Sequence, residues 1–329
     1  MRAVKLAALV DGHWTKDRTE HRRGAVFTGG AACADDVSSR AWVLIDDGSA
    51  RRFGPALAWA WRQRVRALDV LVEGPSASQV VARRAAQMAE PPAVWLISDR
   101  SLRPALAAQA QWPDPVDAST LPYVEVLREH GAEPVVEHGV LRGEVLGLEV
   151  ARVIDGRLEV GVGRHDRYAR AEMRRGQAFG AALDETVAAV RLRRRPGAGI
   201  HAANTLARSR WLRSILCARP DLVGAESLTA VAPPLPAPDL TDNGAVPCVG
   251  IDTAEEPVVV VCSTGVDLDV VPTAADSRAI YGRDARLVIV VPEGDDHPVT
   301  RSLAASLLRP AEVRTVPRNW EGLASASGL

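Results

Sequence analysis

Arginines are concentrated at two places in the middle of the chain, and their chemistry is the easiest to name. The first cluster is Arg191, Arg193, Arg194 and Arg195, and the second is Arg208, Arg210 and Arg213 with Trp211 among them. A guanidinium fork matches the oxygens of a phosphate, and an indole ring can stack on a base. The pattern predicts phosphate binding. The alternative is a solvated helix end, where arginine also favours the helix dipole.

A glycine-rich segment, Gly161–Arg167, is a second candidate site. Glycines in a strand permit close approach of a ligand to the backbone, and Arg164, His165 and Asp166 follow them directly. His165 could act as a general base or as a ligand. We favour a surface histidine that is ion-paired with its neighbours, because a single histidine beside an aspartate and an arginine is more often that.

Acidic and polar residues follow three apolar runs that read as strands. They are Asp46 and Asp47, then Thr264, Asp267 and Asp269, then Glu293, Asp295, Asp296 and His297. Ligands of open α/β sheets bind at the carboxyl ends of strands, so Asp267 and Asp269, with Asp252 and His297, are candidates for metal-dependent hydrolysis with magnesium or manganese. The alternative is helix capping, and no metal-site spacing is present, so the favoured expectation is no cofactor.

Two glutamates ten residues apart, Glu149 and Glu159, flank a hairpin turn at Asp155-Gly156. This turn predicts a register in which paired residue numbers sum to 311, so that Arg152 faces Glu159. In that register Glu149 and Glu159 lie on opposite faces and cannot share a metal. A β-bulge would reverse this expectation.

Charge is distributed unevenly along the 329 residues. The whole chain holds 40 basic and 41 acidic residues, but residues 142–219 hold 16 basic and 8 acidic ones, and residues 220–329 hold 7 and 16. The basic middle indicates either an anionic partner or neutralisation within the fold. Lysine occurs only as Lys5 and Lys16.

Cysteine usage and hydropathy bear on the compartment. Cys33, Cys217, Cys248 and Cys262 form no CxxC pair and no zinc spacing, so we expect reduced thiols in a cytoplasmic protein. No apolar run approaches the length of a membrane span, so no membrane partner is expected.

Four consecutive segments are predicted, in an α/β protein. Residues 1–40 have no sustained periodicity and are expected to be a flexible extension. Residues 41–115 alternate strands (Ala41–Ile45, Leu68–Val72, Ala93–Ile97) with helices, which predicts a Rossmann-like βαβαβ unit. Residues 116–200 form a basic α+β segment containing the long hairpin.

Residues 201–329 complete the chain with a helix, a hairpin, a helix, a strand, a helix and a strand. The phrases Trp211-Leu212, Arg219-Pro220-Asp221-Leu222 and Pro257-Val258-Val259, with Asp252 before a four-residue turn, carry a resemblance over residues 205–316. This region resembles the PD-(D/E)xK (restriction-endonuclease-like) nucleases, and within them the single-strand and mismatch endonucleases of archaea and high-GC bacteria.

The resemblance implies an αβββαβ core and a nuclease ancestry, with the catalytic residues missing. In that family the strand corresponding to Pro257–Ser263 ends in a carboxylate, an apolar residue and a lysine. Here those places hold Val261, Cys262 and Ser263, and no aspartate lies at Val246–Cys248 where the family has its metal ligand.

The sequence is therefore compatible with three functions. The favoured one is a nucleic-acid-binding protein with a catalytically degenerate nuclease-like domain. The alternatives are a metal-dependent phosphodiesterase that uses the strand-end acids, and a non-enzymatic structural or assembly protein. Nucleic acid is the expected partner, and self-association into a homo-oligomer is left open by the sequence.

Overall fold

The computed structural model describes residues 1–14, 22–99, 101–163, 166–167, 179–196, 201–237 and 241–323. Two compact units are present, and neither is a continuous piece of chain. The first unit consists of Met1–Ala110, Leu268–Asp276 and His297–Glu312, and the second of Gln111–Asp267, Ser277–Asp296 and Val313–Leu329.

A six-stranded sheet forms the centre of the first unit. In chain order its elements are α1 (Arg2–His13), β1 (Arg22–Phe27), β2 (Gly30–Asp35), β3 (Arg40–Ile45), α2 (Phe53–Gln63), β4 (Ala67–Val72), α3 (Pro75–Ala85), β5 (Ala93–Ser98) and β6 (Ser101–Pro104). Strands β1 to β6 lie in sequential order, and β3, β4 and β5 are parallel. The three strands predicted in this region are confirmed.

Residues 1–40 do not form the extension that the sequence suggested. They supply α1, β1, β2 and the first residue of β3, and β2 pairs antiparallel with β3. Helix α1 buries Leu6, Leu9 and Val10 against one face of the sheet. Sequence patterning missed these elements because β2 (Gly-Ala-Ala-Cys-Ala-Asp) contains small residues, which give little hydrophobic alternation.

The central strands of this sheet are covered on both faces, which explains their continuous apolar runs. Trp42, Leu44 and Leu71 pack with α1 on one face. Val43 packs with Ala56 of α2 on the other.

The second unit contains a four-stranded antiparallel sheet with the order β10-β9-β8-β7. Its strands are β7 (Glu133–Glu137), β8 (Val140–Val145), β9 (Leu148–Ile154) and β10 (Arg157–Val160), and it is accompanied by α4 (Pro122–Glu129) and α5 (Phe179–Arg193). The predicted hairpin register is confirmed, since Val153 pairs with Leu158 and Arg152 with Glu159. Leu148, Ala151 and Val153 pack with Leu127 of α4 and Leu183 of α5.

A five-stranded sheet in sequential order follows in the chain. After the short helix α6 (Ala202–Thr205), its elements are α7 (Arg208–Ala218), β11 (Ala225–Ala230), β12 (Val246–Asp252), β13 (Pro257–Cys262), α8 (Val270–Tyr281), β14 (Arg286–Pro292), α9 (Pro298–Ala305) and β15 (Glu312–Val316). Strand β13 is antiparallel to β12 and parallel to β14.

The order of elements from α1 to β5 recurs from α7 to β15, although the sequence shows no repeat. From α1 to β5 and again from α7 to β15 the chain runs helix, three-strand meander, helix, strand, helix, strand. Each sheet keeps its strands in sequential order with the third and fourth parallel, and the first sheet adds β6 at its edge. Within the first unit, Met88 and Leu307 form an antiparallel bridge. Each of these residues lies five positions before the final strand of the shared order, β5 or β15, so the bridge joins equivalent positions.

Candidate functional site

One face of the four-stranded sheet in the second unit carries charged side chains in place of apolar ones. The register places Glu144 between Glu133 on β7 and Glu149 on β9, and it places Arg142 opposite Arg152. Glu137, Glu144 and Glu149 are buried. Buried carboxylates require charged or hydrogen-bonding partners, so the arginines around this face are a structural necessity.

A β-bulge in β9 decides where Glu149 points. The pairing shifts between Gly143 and Glu144, which leaves Val150 as an extra residue. Arg152 Nε and Nη2 donate to Glu149 at 3.0 and 2.7 Å. The prediction that Glu149 and Glu159 face opposite ways is wrong, because the bulge returns Glu149 to the charged face.

Arg167 joins these two glutamates. Its Nη1 donates to Glu149 Oε1 at 2.7 Å, and its Nε lies 3.8 Å from Glu159 Oε2. Although Arg152 is opposite Glu159 in the hairpin register, its guanidinium pairs with Glu149. Glu149 therefore lies in a salt cluster whose cations are Arg142, Arg152 and Arg167.

Two arginines of helix α7 reach the same charged face. Arg210 Nη2 donates to Glu137 Oε2 at 2.7 Å, and Arg210 Nη1 donates to Glu144 Oε1 at 3.1 Å. Arg213 donates to Glu137 Oε1 at 3.2 Å and to Glu144 Oε2 at 3.1 Å. Arg210, Trp211 and Arg213 are all buried. In place of the predicted phosphate contact, these guanidinium groups bind protein carboxylates, and Trp211 packs edge-on against Trp320.

The electrostatic consequence is clearest at Glu137. Burial by itself would raise the pKa of its carboxyl, but Arg210 and Arg213 lower that pKa from 4.5 to about 2. Burial likewise opposes the charge of Arg213, and Glu144 and Glu137 outweigh it and raise the pKa of its guanidinium. Each charge is therefore held by its partners.

This arrangement predicts a loss of stability in acid. Because the pKa of Glu137 is lower in the folded than in the unfolded protein, its contribution is fully present above about pH 5 and is lost as the pH falls toward about 2. Urea unfolding measured from pH 6 to pH 2.5 should show a steeper decline for the native chain than for Glu137→Gln. Equal slopes would contradict the pKa assignment. Carbon-detected NMR of the glutamate carboxyls gives the same pKa if the variant does not fold.

A cleft of about 630 Å³ lies beside the charged face, within the second unit. Glu133, Glu144 and Leu146 line one side, the end of α5 contributes Arg191, Arg194 and Arg195, and Ser214 and Cys217 of α7 line the floor. The cleft therefore brings together three members of the first predicted arginine cluster.

Arg194 is the buried member of that group. Its guanidinium donates to the carbonyl oxygens of Ala203 at 2.9 Å, Leu146 at 2.5 Å and Leu206, and lies 4.9 Å from the Trp211 ring. Burial lowers its pKa to about 9. Within the described part of the chain no carboxylate forms an ion pair with Arg194, so its charge on the cleft wall is uncompensated by direct contact.

The remaining arginines of the first cluster are exposed. Arg191 Nη2 donates to the carbonyl of Gly131 at 3.1 Å, whereas Arg193 and Arg195 extend from the end of α5. None of the three forms an ion pair with a described residue. Arg208 differs, because it is paired with Glu321 at 2.5 Å and lies over the Trp320 ring.

Glu133 is an acidic residue of the same cleft that resembles these arginines in its lack of an ion pair with any residue that the structure describes. Desolvation by the surrounding protein, and then the neighbouring charge of Glu144, raise its pKa, although the residue is exposed to solvent. With respect to the described residues, the cleft thus holds one carboxylate, Glu133, and three guanidinium groups, Arg191, Arg194 and Arg195, that form no ion pair.

The other predicted sites are local caps or lie outside the described residues. Arg164 and His165 fall outside them, and Asp166 accepts from Val162 N–H at 2.8 Å. Asp252 accepts from the N–H groups of its own turn, which lower its pKa. His297 Nδ1 accepts from the Val299 N–H at 3.2 Å at the start of α9.

The two aspartates proposed for hydrolysis belong to different units. Asp267, in the second unit, accepts from Ala245 N–H at 3.1 Å. Asp269, in the first, is buried and accepts from Gly54 N–H at 3.1 Å and from Arg84 at 2.8 Å. Among the described residues, no group of three histidine, cysteine or acidic side chains is placed to hold a metal ion.

Sequence reasoning missed Glu133, Glu137 and Glu144. A signal was available, because Glu133 and Glu137 are four residues apart before the turn at His138-Gly139, and Arg142 and Glu144 are two apart after it; such even spacings place charged side chains on one face of a hairpin. Cys217, Cys248 and Cys262 are free thiols, as expected.

Comparison with protein-family models, with curated proteins and with solved structures found no match. In the residues that the structure describes, every helix is too short or too polar to cross a lipid bilayer.

Proposed function

We propose that this protein binds nucleic acid without cleaving it, and that Arg191, Arg193 and Arg195 contact the phosphates. The observation that carries the proposal is the set of exposed guanidinium groups at the end of α5, which form no ion pair with described residues and stand beside a cleft containing the buried Arg194. A guanidinium without a protein carboxylate is free to bind a phosphate.

The proposal gives the two arginine clusters different roles. Arg210 and Arg213 neutralise Glu137 and Glu144 inside the fold, while the first cluster remains open to a ligand. Arg208 is an intermediate case, because Glu321 competes for it. Trp211 is buried and cannot offer a ring face to a base.

The lack of cleavage rests on the nuclease resemblance. The order helix, three strands, helix, strand in residues 208–292, with sequential strands, supports a restriction-endonuclease-like core. Val261 and Ser263 occupy the places of the family's carboxylate and lysine, and both are buried. The strand therefore lacks the carboxylate and the lysine with which that family holds a metal and stabilises a scissile phosphate. The parallel β3-β4-β5 arrangement is the part of the first unit that we propose as Rossmann-like.

Fluorescence anisotropy with labelled single-stranded DNA, single-stranded RNA and duplex DNA tests the proposal. Because bound arginines release counterions, log affinity should fall linearly with log salt between 50 and 200 mM potassium chloride. The variant with Arg191, Arg193 and Arg195 all changed to alanine should lose about 2 units of that slope on single strands, at about 0.7 per phosphate contact.

A second triple variant controls for net charge. Arg62, Arg103 and Arg318 are also exposed, and changing them to alanine removes the same charge from other surfaces. This control should retain the native salt slope. The proposal fails if the folded native protein does not bind at 50 mM salt, or if both variants lose the same slope. Cleavage of the strands in magnesium or manganese would favour the hydrolase alternative.

A further inference from the structure

We propose that the cleft of the second unit takes one nucleotide of the bound strand and prefers guanine, with Glu133 as the residue that reads the base. The inference rests on the proposed function and adds to it a ligand and a specificity. Three properties of the cleft support this inference: the arrangement of its charged side chains, its volume, and the hydrogen-bonding capacity of the Glu133 carboxylate, which forms no ion pair with a described residue.

Two different elements supply the cations and the carboxylate of the cleft. Arg191, Arg194 and Arg195 come from the end of α5, and Glu133 comes from β7. A hydrogen bond from Arg191 to the carbonyl of Gly131, two residues before Glu133, connects these two walls. A ligand that fills the cleft therefore meets guanidinium groups from α5 and the carboxylate of Glu133 from β7.

Arg194 gives the cation wall a permanent charge. Three backbone carbonyls hold its guanidinium in place, and a pKa of about 9 keeps it protonated at neutral pH. The backbone carbonyls carry only partial charges, so a phosphate near Arg191 and Arg195 gains from this fixed cation. The cleft is thereby suited to an anionic group at that end.

Volume and apolar surface suit a base. The cleft holds about 630 Å³ and is walled in part by Val145, Leu146, Ala218 and Leu228. Small-molecule sites usually lie between about 300 and 1,000 Å³ and combine apolar walls with a few placed polar groups. A mononucleotide fits this range, with its base against the apolar wall.

The Glu133 carboxylate favours a base whose edge presents two adjacent hydrogen-bond donors. An ionised carboxylate only accepts hydrogen bonds, and its two oxygens are matched by two adjacent donors. Guanine presents such a pair in its N1–H and its exocyclic amino group. Adenine and cytosine place an acceptor beside the amino group, and uracil offers one N–H between two carbonyls. Glu144 cannot take this role, because Arg210 and Arg213 already occupy its oxygens.

Titration calorimetry of the full chain with GMP, AMP, CMP and UMP tests the inference. GMP should bind at least about fivefold more tightly than the other three, since a bidentate base contact discriminates by about 1–3 kcal/mol. Glu133→Gln should abolish that preference and leave AMP affinity unchanged, because an amide offers only one acceptor. Arg195→Ala should weaken all four nucleotides to the same extent. Glu129→Gln, an exposed acid on α4, is the matched control and should behave as native.

The outcomes separate this inference from the proposed function. Salt-dependent strand binding without mononucleotide binding would overturn the cleft inference and leave the proposed function standing. Equal binding of all four mononucleotides, unaltered by Glu133→Gln, would overturn base reading. Absence of both strand and mononucleotide binding would overturn both.

Discussion

Arg213→Met is expected to lower the free energy of unfolding by about 3–5 kcal/mol. Arg213 is buried, and its guanidinium donates to Glu137, Glu144 and the carbonyl of Val231. Methionine keeps much of the side-chain volume but removes the charge. Two buried carboxylates then share one fewer cation, and the cost of leaving a buried charge uncompensated exceeds the net value of the original pair. Urea unfolding followed by circular dichroism measures the change.

The matched control lies at the end of the same helix. Arg219 is paired with Asp221 at 2.7 and 2.9 Å, but this pair is exposed, so Arg219→Met should leave the unfolding midpoint unchanged. Adding Glu144→Gln to Arg213→Met should restore part of the lost stability, because it removes the uncompensated carboxylate. Equal midpoints for Arg213→Met and Arg219→Met would contradict the structural role of the buried network.

Gly54→Ala is expected to destabilise the first unit by about 3 kcal/mol. A Cβ at this position would press on the carbonyl oxygen of Leu268 and lie 2.5 Å from the Cα of Asp269. Both obstacles are backbone atoms, so no side-chain rotation relieves them. The displacement would also break the hydrogen bond from Gly54 N–H to Asp269 and disturb the buried pair of Asp269 with Arg84.

Gly12→Ala provides the opposite expectation with the same chemical change. Gly12 is an exposed glycine in α1, and a Cβ there meets no atom within 4 Å. Alanine should stabilise the helix by up to about 1 kcal/mol. Thermal unfolding compares the two variants, and amide hydrogen exchange in Leu268–Asp276 should accelerate only in Gly54→Ala. Unchanged exchange there would show that this segment does not depend on the close approach.

The strands were the most predictable part of the fold. The runs Ala41–Ile45, Leu68–Val72 and Ala93–Ile97 are long enough and apolar enough to be buried strands in any arrangement, and the Asp155-Gly156 turn defines its own hairpin register. Residues 1–40 were less predictable. Strand β2 is built of glycine and alanine, so its place in the sheet depends on the neighbours that cover it.

The sequence identified the arginine clusters of the candidate site but not the groups that each arginine contacts. An arginine that neutralises a buried glutamate cannot be distinguished by sequence from an arginine that is available to bind a phosphate. Arg194 and Arg213 illustrate this, since both are buried, yet one binds carbonyls at the wall of a cleft and the other binds two carboxylates. The residues that separate them, Glu137 and Glu144, lie more than 60 positions from Arg213.

The sequence by itself determined that the chain is a mixed α/β protein with two strand-rich halves and an arginine-rich middle, because hydrophobic periodicity and turn residues act locally. Only the tertiary structure decided which charges are compensated. A single bulge at Val150 turned Glu149 toward the arginines, and the approach of α7 to the charged face occupied Arg210 and Arg213. Charge compensation depends on distances of a few ångström between residues far apart in the chain, and local sequence holds no record of those distances.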